Sequence, residues 1–119
     1  MQFSPDMVDA ILSGRKTRTT RPVTGVECTY RVGRDYAVCP GRGKRQVARI
    51  RVTNVQKFSD LFAVGSMLGS DEHAHAEGFA SWKGFEVKWD TIYPFGTARN
   101  IGPVWTIDFE LVKESGSGG

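Results

Sequence analysis

The segment Trp105-Thr106-Ile107-Asp108-Phe109-Glu110-Leu111 alternates apolar and polar residues without a break. A period of two places Trp105, Ile107, Phe109 and Leu111 on one face and Thr106, Asp108 and Glu110 on the other, as a half-buried strand requires. Val47 to Val55 repeats the pattern: Ala48, Ile50 and Val52 face one way, and Arg49, Arg51 and Thr53 the other. Tyr36-Ala37-Val38-Cys39 is a third expected strand. Thr17 to Arg21 is rich in β-branched residues and stops at Pro22, so it is a short strand or an extended loop.

Helical patterns lie between and before these strands. Ser4-Pro5-Asp6 reads as a helix start, with Ser4 as cap, Pro5 in the first turn and Asp6 favoured by the dipole. Met7, Val8, Ile11 and Leu12 form an apolar stripe, and Gly14 ends a helix expected over residues 5–13. Ser70 caps a second short helix, through Glu77, that Gly78 ends. Ser81 caps a third, with Trp82, Phe85, Trp89 and Ile92 along one face and Pro94 as its stop. Those aromatics can stack on a base, but helical spacing assigns them to the core, as alternation assigns Trp105, Ile107 and Phe109. The order of elements gives an α+β fold with a small mixed sheet or barrel and two or three short helices. Residues 1–113 are expected to form one domain. The remainder, 114–119, is a Ser/Gly tail of flexible-linker composition.

A chain of 119 residues, 39% of them hydrophobic, can bury one core without disulfide or metal staples. No apolar run is long enough to cross a bilayer, and the N-terminus lacks the basic and apolar regions of a signal peptide. The expectation is therefore a cytoplasmic protein with no membrane partner. Cys28 and Cys39 are expected to be free, buried thiols, and no four ligands stand at zinc spacing. Charge is uneven along the chain. Residues 1–57 hold 12 Lys/Arg and 4 Asp/Glu, whereas residues 58–119 hold 4 and 9. A surface that meets phosphate and two solvated faces of opposite sign account for this equally well.

The chemistry points to Gly14-Arg15-Lys16-Thr17-Arg18-Thr19-Thr20-Arg21. Gly14 frees the backbone to turn sharply out of the first helix. Four cations then follow within seven residues, and their mutual repulsion favours proton loss from Lys16. A lysine that is neutral part of the time acts as a base, and a threonine hydroxyl beside it as a nucleophile. From composition alone, two plainer readings together outweigh catalysis: a basic exposed strand that binds nothing special, and phosphate binding by guanidinium and hydroxyl groups.

The pattern Gly14-Arg15-Lys16-Thr17-x-Thr19-x-Arg21 directly after a short helix resembles the signature of the ASCH family. The likeness extends to Glu77-Gly78-Phe79, to the Trp82/Phe85/Trp89/Tyr93 helix and to the closing strand Val104-Trp105-Thr106-Ile107-Asp108-Phe109. It implies a compact β-barrel similar to the RNA-binding PUA domain. The branch it most resembles is the bacterial N(4)-acetylcytidine amidohydrolase. That resemblance implies catalytic roles for Lys16, Thr19 and Glu77, with Arg15 and Arg21 binding substrate and no cofactor or metal. Lys16 accepts the proton of Thr19, Thr19 attacks the amide carbonyl, and Glu77 orients Lys16 or passes a proton to the leaving amine. The implied substrate is a modified pyrimidine nucleoside.

Strand parity constrains this assignment. Residues three apart face opposite sides of a regular strand, so Lys16 and Thr19 meet only across irregular backbone. Lys16 and Thr20 share a face, which makes Thr20 the reserve nucleophile. Two other functions compete: a non-catalytic RNA-binding module, favoured by the basic first half, and an RNA-cleaving enzyme. Arg42, Lys44 and Arg45 on a glycine-rich turn fit a phosphate cradle or a solvated loop. Asp71, Glu72, His73 and His75 lack a third metal ligand at convincing spacing and are expected on a surface helix.

Overall fold

The structure, a computed structural model, describes residues 1–93 and 102–112. Along them lie α1 (Pro5–Leu12), β1 (Arg18–Pro22), β2 (Asp35–Val38), β3 (Ala48–Phe58), α2 (Leu61–Leu68), α3 (Ser70–Ala76), α4 (Trp82–Ile92) and β4 (Val104–Leu111). The expected stop at Pro94 and the Ser/Gly tail lie outside the described residues.

The four strands form one curled antiparallel sheet in the order β1-β4-β3-β2, a half-barrel. The most regular strand of the sequence, β4, lies inside it between β1 and β3. That position explains where simple alternation fails. Val104 packs into one apolar cluster with Phe58, Leu61, Val64, Phe85 and Trp89. Phe109, five residues on and so on the opposite face, packs into another with α1, Val38 and Ile50. Both faces of β4 are thus covered. Thr106 is buried, and Trp105, expected in the core, is only half-buried with the Lys57 ammonium 5.6 Å from its ring centre. In β3 the register shifts between Val52 and Asn54, a bulge at Thr53. The extra residue flips parity, so Ile50 and Phe58 serve different clusters although they are eight apart.

Helix α2 is not among the expected elements. Its signals are present: the Asp60 side chain accepts the Ala63 N–H at 2.8 Å, and Leu61, Val64 and Leu68 stand at helical spacing. Exposed Phe62 and Met67 on its other side blur the pattern. Ser81 caps α4 as expected, through the Gly84 N–H at 3.2 Å. Ser4 stands at the N-cap of α1 but makes no cap hydrogen bond; its hydroxyl donates to Asp6 instead. Ser70 is the first helical residue of α3 rather than its cap, because Gly69 holds that position with φ of 85°. Leu12 and Ile92, expected on apolar faces, are exposed at 49% and 54%. Both are the last residues of their helices. The cysteines are free as expected, but half-buried rather than buried.

Candidate functional site

The first turn after α1 builds the site. Gly14 adopts φ of 82°, and the N–H groups of Arg15 and Lys16 both return to the Ala10 carbonyl. This reverses the chain and lays Lys16 against Glu77 in an isolated antiparallel bridge, beside which Thr17 N–H donates to the Ala76 carbonyl. Regular strand begins only at Arg18. Lys16, Arg18 and Thr20 nevertheless meet one hydrogen-bond network around Glu77 and His73, as alternate residues on one face do, and no hydrogen bond joins Lys16 to Thr19 among the described residues. Gly78 completes the join. It has φ of +94°, and a Cβ there would meet the Cβ atoms of Ala10 and Lys16 at 3.2 Å each. Gly78→Ala is expected to cost about 2–4 kcal/mol, combining left-handed strain with overpacking, in chemical denaturation. A loss under about 0.5 kcal/mol would contradict this tight join.

Lys16 is 4% exposed and Glu77 3%. The lysine Nζ donates to Glu77 Oε1 at 2.8 Å and to the Glu77 carbonyl at 3.0 Å. The other carboxylate oxygen, Oε2, accepts the Thr20 hydroxyl at 2.5 Å and lies 3.2 Å from His73 Nε2. His73 Nε2 is also 3.2 Å from Thr20 Oγ1, and His73 Nδ1 is 3.2 Å from Arg18 Nη1. A guanidinium has only donors, so Nδ1 accepts and the ring is the neutral tautomer with its proton on Nε2. Arg18 in turn donates through Nε to Asp108 Oδ1 at 2.5 Å. A continuous polar chain thus runs Lys16–Glu77–Thr20/His73–Arg18–Asp108 through the protein.

Burial sets the electrostatics. Desolvation pushes the Lys16 pKa below the ordinary lysine value, against the opposing pull of Glu77. The crowding by cations expected from the sequence is not the main reason: burial is, and Arg21 is a lesser contributor. For Glu77 burial works against ionisation, but the Lys16 charge and the His73 hydrogen bond outweigh it and hold the carboxyl at about 2.

A cavity of about 370 Å³ opens onto this pair. Lys16, Thr19, Thr20, Arg21 and Glu77 line it together with Phe3, Phe79, Trp89 and Tyr93. Thr19 is buried, and its Oγ1 accepts from Arg21 Nε at 3.3 Å. Thr20, not Thr19, touches the carboxylate. Arg15 is not brought in: it is exposed, and its Nε donates to Ser13 Oγ. Among the described residues no group of three or more His, Cys, Asp or Glu could hold a metal ion, and no helix is long and apolar enough to cross a membrane.

The surface location expected for the histidines holds for His75, which is exposed, and fails for His73, which is wholly buried. Its signal lies in the spacing: His73 and Glu77 are four apart and share a helical face with buried Ala74 beside it. Asp108 has no such local mark, because its role depends on β4 pairing with β1 through Arg18.

No protein-family model matches the sequence, and no curated protein matches it. Solved structures do. An ASCH domain from Lactobacillus crispatus superposes with a TM-score of 0.69 at 19% identity, over 89% of this chain and 70% of that one. A protein from Enterococcus faecalis gives 0.64 at 22%, over 90% and 70%. ASCH from Zymomonas mobilis gives 0.59 at 14%, over 95% and 68%. The chain has the ASCH, PUA-like fold that the Gly14–Arg21 pattern implies.

Proposed function

We propose that this protein is an amidohydrolase that removes an acyl group from the exocyclic amine of an N(4)-acylated cytidine or related nucleoside. The observation that carries the reading is the buried Lys16–Glu77 pair at the floor of a cavity that also holds two threonine hydroxyls. A cavity of about 370 Å³ lies in the range of small-molecule sites, and its aromatic wall suits a planar base.

The reaction balances without a metal. Neutral Lys16 takes the proton of Thr19 Oγ1 as that oxygen bonds to the acyl carbon. The carbon–nitrogen bond then breaks, and Lys16 returns the proton to the departing exocyclic amine. Water next cleaves the threonine ester, releasing the carboxylic acid and restoring the hydroxyl. Glu77 holds Lys16 in place and is itself held by Thr20 and His73. Thr19 is assigned the attack because the Thr20 proton is committed to Glu77.

Acetate release from N(4)-acetylcytidine tests this directly. Thr19→Val is expected to lower kcat at least about 10³-fold, and Thr20→Val by a smaller factor. Full activity in both variants sinks the mechanism; loss confined to Thr20→Val moves the nucleophile to Thr20. A chelator is expected to leave turnover unchanged.

A second reading, an RNA-binding module, is favoured by one observation. Pro40 and Gly41 form part of the cavity wall and lead straight into exposed Arg42, Lys44 and Arg45. RNA affinity that falls steeply with salt supports it, and no binding at low salt removes it.

A further inference from the structure

The cavity wall carries more positive charge than the proposed reaction uses. Lys16 is matched by Glu77, which is the one carboxylate of the lining among the described residues, yet Arg21 and Lys88 line the cavity too. Arg21 has no acidic partner among the described residues. Its Nε donates to Thr19 Oγ1 at 3.3 Å, its Nη2 donates to the Gln2 carbonyl at 2.9 Å, and its guanidinium lies 5.1 Å from the Phe3 ring centre. Neutral groups thus fix the guanidinium without cancelling its charge, leaving a fork ready for an anion. Lys88 has a single long ion pair, 3.5 Å to exposed Asp6, of the kind that contributes little.

Two cations lining a cavity whose one carboxylate among the described residues is already matched by Lys16 ask for a ligand rich in anionic oxygen.

We infer that this cavity binds the phosphate of a pyrimidine nucleotide, with Arg21 and Lys88 as its cationic partners. The preferred substrate of the hydrolase is then an N(4)-acylated cytidine monophosphate rather than the uncharged nucleoside. The identity of the base rests on the hydrolase reading; the anion does not.

Calorimetric titration of the full chain with cytidine, cytidine 5′-monophosphate, inorganic phosphate and a cytidine trinucleotide tests the inference. The monophosphate is expected to bind at least about tenfold more tightly than cytidine at low salt, with the gap narrowing as salt rises. Phosphate alone is expected to compete with the monophosphate. Arg21→Gln should shrink the gap to below about threefold, and Lys88→Gln should narrow it in part. The ratio of the two affinities is insensitive to any fraction of variant that fails to fold. Equal affinities for cytidine and its monophosphate overturn the inference, as does tighter binding of the trinucleotide. None of these ligands carries an amide. A protein that prefers the monophosphate but releases no acetate therefore loses the hydrolase reading and keeps the anion site, whereas an active protein without the preference loses the anion site alone.

Discussion

Replacing Glu77 with glutamine is expected to lower the stability of the fold by about 3–5 kcal/mol in urea unfolding, because it strands a buried cation. Lys16 keeps its place under the Gly78 backbone but loses the charge at 2.8 Å. Thr20 and His73 lose part of the same acceptor at the same time. The double variant Lys16→Met, Glu77→Gln is expected to recover much of the loss, since no unpaired charge remains. A single variant as stable as the parent would mean that water or another group already compensates Lys16. The pH dependence has a definite sign. The folded carboxyl sits at about 2, below its ordinary value of 4.5. Its contribution is therefore complete above about pH 5 and is lost as pH falls toward 2. Glu77→Gln is expected to flatten that part of the acid limb, which is measured by repeating the unfolding curves at a series of pH values.

Lys16→Arg is expected to reduce turnover at least about 10³-fold while leaving the charge pair with Glu77 possible. Arginine keeps the positive charge and stays protonated, so it cannot take a proton from a threonine. A variant that keeps kcat within about threefold would assign Lys16 a structural or binding role only. The pH–rate profile of the parent supplies the independent readout. In the proposed mechanism the working form of Lys16 is the neutral amine, and desolvation pulls its pKa below the ordinary 10.5. Turnover is thus expected to rise with pH through a limb that lies below that value. A rate independent of pH across the alkaline range would speak against an amine base.

Much of the architecture is legible in short windows of sequence. Helix α1, the strand after Pro40-Gly41 and the Ser81 cap follow from spacing, β-branching and side-chain oxygen, all of which act between near neighbours. Alternation located β4 but misjudged Trp105 and Thr106, because period two names two faces without saying that both are covered. The bulge at Thr53 has the same character: nothing in Val52-Thr53-Asn54 announces it, and it exists because β3 must serve two clusters. Helix α2 carried ordinary signals that exposed Phe62 and Met67 masked.

The site divides along the same line. That Gly14 to Arg21 gathers four cations and three hydroxyls, and that Lys16 needs irregular backbone to reach Thr19, follow from residue types and parity alone. That the Glu77 carboxylate receives Lys16 on one oxygen and Thr20 on the other, and that His73 and Arg18 extend this contact to Asp108, depends on folding in three dimensions. Lys16 and Glu77 are 61 residues apart, and Arg18 and Asp108 are 90 apart. Local preference acts over a few residues and is silent at such separations. Burial, which lowers the lysine pKa, and the Lys16 and His73 contacts that keep the carboxylate ionised against that burial arise only when α1, α3 and the sheet close over them.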